Sequence, residues 1–191
     1  MVNICVFASS SNNLDEHFYK DAAELGKLLG QNGMNIVYGG SRLGMMYACA
    51  SQVKANGGKI IGIMPQRLYD MGYGNNEDCD EFILTTGMRE RKAKMDEMSE
   101  GIIALAGGFG TLEELSEMIV QKQLGYNKKP IVFLNTNGYY NNLIKFFDDV
   151  IKYNFAKNGT QELYYIAQTP EDCVKYIKEY NYNSLSYTGK F

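Results

Sequence analysis

The chain has 191 residues, the size of one ordinary domain. Hydrophobic residues make up 45% and charged residues 21% of it, a balance that excludes wholesale disorder. A formal charge of −3 disfavours a nucleic-acid partner, although a local pocket could still bind a small anion.

Membrane and secretory signals are not evident in the sequence. Its longest apolar runs fall far short of the roughly 20 residues that span a bilayer. The amino terminus leads directly into a strand-like run, without the basic region or cleavage site of a signal peptide. The four cysteines are scattered without a CxxC pair and are interpreted as reduced thiols. We therefore expect a cytoplasmic protein with no membrane partner.

His17 is the only histidine. A single histidine excludes metal sites with several histidine ligands. Any nucleophile that depends on a histidine would have to use His17. On the predicted first helix we expect His17 to be an exposed surface residue.

Short apolar runs alternate with amphipathic stretches along the chain. The first strand is predicted at residues 2–7, followed by a helix from near residue 15 to 32, because Phe18, Ala22, Leu25 and Leu29 share one helical face. Further strands are predicted at residues 35–38, 59–64, 81–84, 102–106, 130–134 and 163–167. Further helices are predicted around residues 46–53 and at 88–100, 111–124, 142–153 and 170–177, the last with Thr169 as N-cap. Residues 66–80 are expected to form a loop, and residues 183–191 a frayed end.

Continuous apolar strands that alternate with helices are typical of a parallel sheet covered on both faces. Without repeats or linkers, residues 1–191 are predicted to form a single domain, an α/β fold around a mostly parallel sheet of about seven strands. Ligands of such sheets bind at the carboxyl ends of the strands. Glycine clusters at residues 39–40 and 107–110 fall at such ends, which predicts a nucleotide or phosphate site.

The segment AGGFGTLEE, residues 106–114, connects the fifth predicted strand to a helix. Its glycines would let backbone N–H groups approach an anion at the helix N-terminus, with Thr111 beside them. It is neither the lysine-containing P-loop nor the full GxGxxG fingerprint. A merely tight turn remains the alternative.

Two interpretations of Glu114 are open. Thr111 and Glu114 fit a capping box, and on pattern alone capping is favoured. Alternatively, a carboxylate beside a phosphate site becomes useful if the chemistry builds positive charge there, as in a ribosyl oxocarbenium ion.

Arg91 lies on the apolar stripe of its predicted helix, together with Met88, Met95 and Met98. A guanidinium group is rarely buried unpaired, so Arg91 needs a carboxylate or an anionic ligand, which Lys92 could also reach. The alternative is an arginine that snorkels to the edge of the stripe.

Three residues in loops at the carboxyl edge of the predicted sheet are further candidate ligand contacts: Ser9, Ser10 and Arg42.

These segments resemble the LOG family, the cytokinin riboside 5′-monophosphate phosphoribohydrolases. The family's PGGxGTxxE and MxxRK motifs correspond to residues 106–114 and to MRERK at residues 88–92. VYGGSRLGMM at residues 37–46 and GGKIIGIMP at residues 57–65 resemble two further family motifs. Ser41 and Tyr47 stand where the family usually has glycines, and residues 66–82 are poorly matched.

The resemblance implies a Rossmann-like three-layer α/β/α fold and a homodimer with the active site close to its interface. It implies hydrolysis of the N-glycosidic bond of a nucleoside 5′-monophosphate, AMP or an N6-substituted AMP, to free base and ribose 5-phosphate, without metal or organic cofactor. Carried over by position, Arg91 and Glu114 are the catalytic pair. The substrate-binding residues implied in the same way are Lys92, Gly107, Gly108, Phe109, Gly110, Thr111 and Glu113.

Two other classes of function remain open at this point. A Rossmann-like protein can bind a nucleotide without turning it over. Lysine decarboxylation, a label often attached to the family, would need a Schiff-base lysine for pyridoxal phosphate, and no lysine has a distinguishing sequence context.

Overall fold

Seven strands form one sheet in the computed structural model, which describes residues 2–182. The strands are β1 (Asn3–Phe7), β2 (Asn35–Tyr38), β3 (Ile60–Pro65), β4 (Glu81–Thr85), β5 (Gly101–Ala104), β6 (Ile131–Leu134) and β7 (Tyr165–Ala167). They are ordered β4-β3-β2-β1-β5-β6-β7, and every neighbouring pair is parallel. The sheet is therefore parallel throughout, where the sequence predicted it to be mostly so.

Helices cover both faces of this sheet. They are α1 (Glu16–Gln31), α2 (Gly44–Ala55), α3 (Gln66–Asp70), α4 (Met88–Glu97), α5 (Phe109–Gln123), α6 (Asn141–Lys152) and α7 (Pro170–Glu179). Alternate residues of β1 contribute to opposite layers: Ile4 and Val6 pack with α1, α2 and α7, whereas Cys5 and Phe7 pack with α4 and α5. This alternation gives the predicted three-layer α/β/α architecture.

Element boundaries differ from the sequence prediction in a few places. The fourth helix ends at Glu97 rather than 100, and α5 begins at Phe109, two residues before the predicted start. The predicted loop at residues 66–80 contains the short helix α3, and a 3₁₀ turn at Thr160–Leu163 delays the seventh strand. The predicted frayed end, residues 183–191, lies outside the described residues.

Three predictions about single side chains can be compared with the fold. Thr169 caps α7 as predicted, accepting a hydrogen bond from the Asp172 N–H. His17 is half-buried against Phe18 rather than exposed. Met88 is 48% exposed, so the predicted apolar stripe of α4 is buried at Arg91 and Met95 but not at its first residue.

The order of the strands reverses beside β1, which has β2 on one side and β5 on the other. Chain connections leave in opposite directions at such a point and open a crevice at the carboxyl edge of the sheet. Among residues 2–182, none of the helices combines the length and the apolar character that crossing a membrane requires.

Candidate active site

A cleft opens at the carboxyl edge of the sheet where the strand order reverses. One arm, of about 340 Å³, lies between the loop after β1 and the N-terminus of α5. A second arm, of about 440 Å³, extends toward α3 and the start of α4. Ser10, Met46 and Arg91 line both arms, so the two form one continuous cleft.

The first arm contains the glycine-rich turn between β5 and α5. Gly108 is the N-cap of α5, and the first intrahelical bond runs from the Leu112 N–H to the Gly108 carbonyl at 3.0 Å. The backbone N–H groups of residues 108–111 precede that bond, and the helix dipole adds partial positive charge there. The turn has the arrangement that a phosphate needs.

The three glycines of this turn differ in what surrounds them. A Cβ on Gly107 would lie 2.1 Å from Thr111 Oγ1, so this glycine is required by packing inside the turn. Gly108 and Gly110 line the cleft, and a Cβ on either would meet nothing within 4 Å. Packing does not explain these two glycines, whereas space for a ligand does.

Arg91 and Glu114 meet in the wall of the cleft. Arg91 Nη1 donates to Glu114 Oε1 at 2.5 Å, and Nε donates to the Ile63 carbonyl at 3.1 Å. The two residues are only 8% and 7% exposed. Gly39 makes room for the guanidinium, since a Cβ there would lie 2.6 Å from Arg91 Nη2. Both residues line the first arm, so the pair is buried on one side and faces the ligand space on the other.

The environment of Glu114 alters its acidity. Burial raises the pKa of its carboxyl above the usual 4.5, and the neighbouring Arg91 guanidinium opposes this rise without cancelling it. The capping-box interpretation of Thr111 and Glu114 was wrong. Because α5 begins at Phe109, Thr111 lies inside the first turn, and the Glu114 carboxylate is bound by a guanidinium group instead of a backbone N–H.

Other predicted site residues lie around the pair. Lys92 is hydrogen-bonded to Glu113 and forms an ion pair with Glu117 at 2.5 Å, contacts that raise its pKa. Neither Lys92 nor Glu113 lines the two arms. Phe109 is 92% exposed at the start of α5 and lies on the far side of the glycine turn, beside Tyr139.

Of the three loop residues predicted as ligand contacts, two line the cleft and one does not. Ser9 and Ser10 line the first arm as predicted. Arg42 does not line either arm, and its guanidinium instead contacts Asn75, Glu77 and Asp78. Its prediction as a ligand contact is therefore not supported by the geometry.

Sequence reasoning missed the second arm of the cleft. Its lining is mainly apolar: Leu43, Met46, Met64, Leu68, Tyr73 and Met88. These residues come from four separate segments of the chain, so no spacing rule could have grouped them. Residues 2–182 contain no cluster of three or more histidine, cysteine or acidic side chains arranged to hold a metal ion.

The sheet order and the cleft at its switch point define a Rossmann-like α/β protein. A protein-family model described as "Possible lysine decarboxylase" matches residues 46–177. The chain belongs to this family, the LOG family.

Named relatives carry one activity in their names. A cytokinin riboside 5′-monophosphate phosphoribohydrolase of Arabidopsis thaliana is 39% identical over 179 residues, covering 93% of this chain and 83% of the relative. The rice enzyme of the same name (Oryza sativa subsp. japonica) is 36% identical over 177 residues, covering 93% and 73%.

Solved structures with the same fold include molybdenum cofactor proteins. The molybdenum cofactor binding protein of Rippkaea orientalis superposes with a TM-score of 0.67 at 26% identity, covering 93% of this chain and 95% of that one. The carrier protein of Chlamydomonas reinhardtii gives a TM-score of 0.70 at 23% identity, covering 93% and 96%. The second likeness concerns the fold alone.

Proposed function

We propose that this protein hydrolyses the N-glycosidic bond of a nucleoside 5′-monophosphate, releasing the free base and ribose 5-phosphate. The observation that carries the proposal is the buried Arg91–Glu114 pair in the cleft wall, beside the open N-terminus of α5. The relatives named for this activity span 93% of the chain and support it.

The proposed mechanism assigns one task to each part of the first arm. The N–H groups of residues 108–111 bind the 5′-phosphate, which brings the ribose against Glu114. As the bond from C1′ to the base nitrogen breaks, the ribose ring becomes cationic, and the ionised Glu114 carboxylate stabilises that charge. Water then adds to C1′ and loses one proton. The departing base gains one proton, so the reaction is balanced.

Arg91 holds the carboxylate in its ionised form. Without the guanidinium, burial alone would raise the pKa of Glu114 further and neutralise the group that the cation requires. Arg91 lines both arms and so stands where ribose and base would join.

The apolar second arm receives the base in this scheme. Its lining suits adenine and offers apolar contacts to an N6 substituent, as in the substrates for which the plant relatives are named. We include both AMP and N6-substituted AMP as substrates.

Replacement of Glu114 tests the proposal. Chromatography of free base and ribose 5-phosphate should show that Glu114→Gln lowers kcat on N6-isopentenyl-AMP by about 100-fold or more. Nucleotide binding, measured by calorimetry, should persist. The matched control Glu97→Gln removes a carboxylate from the exposed end of α4 and should keep full activity. Activity of the unaltered protein should rise with pH through the raised pKa of Glu114, since only the carboxylate stabilises a cation.

Other outcomes would point elsewhere. An undiminished rate in Glu114→Gln would reduce Glu114 to a structural partner of Arg91. Nucleotide binding by the unaltered protein without product would favour a binding module, the class to which the molybdenum cofactor binding protein of Rippkaea orientalis belongs by name. Decarboxylation gains no support from the cleft, whose lining, drawn from the described residues, includes no lysine.

The same proposal includes a cytoplasmic homodimer. Free thiols at Cys5, Cys49, Cys79 and Cys173 suit a reducing compartment. A groove between α5 and α6 exposes a contiguous apolar surface that includes Val120 at 49%, Phe146 at 60% and Phe155 at 84% exposure. A second copy of the chain would cover it.

A further inference from the structure

The segment of residues 66–80, between β3 and β4, forms one wall of the apolar arm. It contributes Leu68 from α3 and Tyr73 from the turn that follows, facing Leu43 and Met88. No residue of α3 is fully buried, and Tyr73 is 44% exposed. The two side chains of this segment that line the arm are therefore not held in place by full burial in the core.

Backbone contacts attach the segment to the loop after β2. Ser41 and Gly74 form an isolated antiparallel bridge, and the Asn75 N–H donates to the Gly40 carbonyl at 2.8 Å. Asn75 is only 1% exposed, and its amide donates to the Tyr38 hydroxyl at 3.3 Å. Asn75 is thus the buried anchor of the wall.

Arg42 binds the same segment with its charged end. Its Nε donates to Asn75 Oδ1 at 2.5 Å and to Asp78 Oδ2 at 3.2 Å, and Nη2 donates to Glu77 Oε2 at 2.9 Å. All of these acceptors lie within six residues of Tyr73. The Arg42 guanidinium, which was predicted to contact a ligand, instead contacts the segment that forms the wall of the apolar arm.

Two side chains of α2 reinforce the attachment. The Tyr47 hydroxyl donates to Asp78 Oδ2 at 2.9 Å, and Lys54 Nζ donates to the Asp78 carbonyl at 2.6 Å. The hydrogen bond from Tyr47 lowers the pKa of Asp78 and keeps it ionised for Arg42. Ser41 and Tyr47, the two departures from the family's glycines, both contact the segment that matches the family poorly.

We propose that Arg42 and Tyr47 are positioning residues that hold the segment of residues 66–80 over the apolar arm and so set the selectivity for the substituent on the base. The inference rests on the proposed function. Leu68 and Tyr73 line this arm but not the first arm, which holds Glu114 and the glycine turn. Loosening them weakens contacts to an apolar N6 substituent and leaves contacts to ribose and phosphate intact.

The test compares two substrates in two variants. Arg42→Gln removes the ionic contacts, and Tyr47→Phe removes only the hydroxyl. We expect KM for N6-isopentenyl-AMP to rise about fivefold in Arg42→Gln, because the loosened wall loses contacts to the substituent, and less in Tyr47→Phe. We expect kcat on both nucleotides, and KM for AMP, to change less than about twofold. Arg42→Lys should restore part of the selectivity.

A control and a second measurement separate positioning from general damage. Arg67→Gln removes the same charge from an exposed position of α3 that does not line the arm, and should leave the selectivity unchanged. Hydrogen exchange of residues 71–80 should accelerate in Arg42→Gln but not in Arg67→Gln. Unchanged exchange would overturn the attachment, and faster exchange with an unchanged ratio of KM values would overturn its role in selectivity.

Failure of the proposed function gives a different result. If the unaltered protein hydrolyses neither nucleotide, the function is wrong, and the ratio of the two dissociation constants, measured by calorimetry, then replaces the ratio of KM values. If Kd for N6-isopentenyl-AMP rises relative to Kd for AMP in Arg42→Gln, the inference is supported even then. If the ratio of the two Kd values is unchanged, the inference is overturned.

Discussion

The Arg91–Glu114 ion pair costs desolvation energy that a purely structural contact would not need. Taking both charges out of water is repaid only by good geometry and extra hydrogen bonds, and apolar replacements of such pairs are often neutral or stabilising. Here the guanidinium is held by Glu114 and the Ile63 carbonyl, and Gly39 lacks the side chain that would block it. A costly pair that also lines a cleft is typical of a functional site.

In the part of the chain that the structure describes, Lys122 is the other charged residue that is buried, and it lies far from the cleft. It is 4% exposed, its amine has no hydrogen-bond partner among residues 2–182, and it lies 5.0 Å from the centroid of the Tyr180 ring. It lies thirteen positions after Phe109 in α5, about 20 Å along the helix axis. Burial lowers its pKa from 10.5 to about 8, a context that its sequence neighbours did not reveal.

Replacing Lys122 by methionine should stabilise the protein. Charging the buried amine at pH 7 costs on the order of 3 kcal/mol, of which the Tyr180 contact returns a part, so Lys122→Met should raise the free energy of unfolding by about 1–2 kcal/mol. Between pH 8 and 10.5 the unfolded chain binds the proton and the folded chain does not, so Lys122 makes stability rise with pH in that window. The stability advantage of Lys122→Met over the unaltered protein should therefore shrink as the pH rises from 8 to 10.5.

Urea unfolding of both proteins at pH 7 and pH 10 measures this difference. Burial raises the pKa of thiols and tyrosines such as Cys5 and Tyr140, so in this range they lose protons in the unfolded chain only and make stability fall with pH. The difference between the two proteins is therefore the informative quantity. Lys20→Met, at an exposed position of α1, is the control and should give no pH-dependent difference. A variant that is less stable at pH 7 would contradict the cost assigned to the amine.

At the scale of one element, one glycine of the turn before α5 is required by packing and another leaves space for a ligand. Gly110 lies inside the first turn of α5, where alanine is favoured by about 0.5–1 kcal/mol, and a methyl group there meets only the open cleft. Gly110→Ala should therefore raise the melting temperature while KM for the nucleotide rises about tenfold. Gly107→Ala should lower the melting temperature, because its Cβ would overlap Thr111. Equal KM values in Gly110→Ala and the unaltered protein would argue against a phosphate at this turn.

Periodicity predicted the elements well where one physical cause dominates. Continuous apolar runs identified all seven strands, and the Thr169–Pro170 pair identified the start of α7. The start of α5 was misjudged because Thr111 and Glu114 fit a capping box, whereas the helix begins after Gly108 and Glu114 pairs with Arg91. Resemblance to family motifs, rather than spacing, suggested that Arg91 and Glu114 act together.

At the scale of the whole molecule, the predictable part ended where distant segments meet. The parallel sheet puts the loops after β1 and β2 and the turn before α5 at one edge, as predicted, but strand order decides which of them are adjacent, and no local pattern encodes that order. The apolar arm illustrates this limit, because Leu43, Tyr73 and Met88 come together only through the topology. Arg42 was grouped with the ligand residues for the same reason, although its partners lie more than thirty positions away.

The apolar groove between α5 and α6 predicts how the whole molecule assembles. No residue of α6 is fully buried, although Ile144 and Phe147 lie against the core and Phe146 is 60% exposed. If a second copy covers this surface, Phe146→Asp should weaken dimerisation by at least about tenfold, since a carboxylate would have to be buried there. Hydrolysis should fall with it, because α5 carries both the groove residue Val120 and Glu114.

Sedimentation velocity over a range of concentrations measures the change, with Lys145→Asp as the matched control. Lys145 is the exposed neighbour of Phe146 and does not line the groove, so it receives the same new side chain without burying it. A dimer that persists in Phe146→Asp would place the interface elsewhere on the molecule. A monomeric unaltered protein with full activity would remove the second copy from the proposed mechanism altogether.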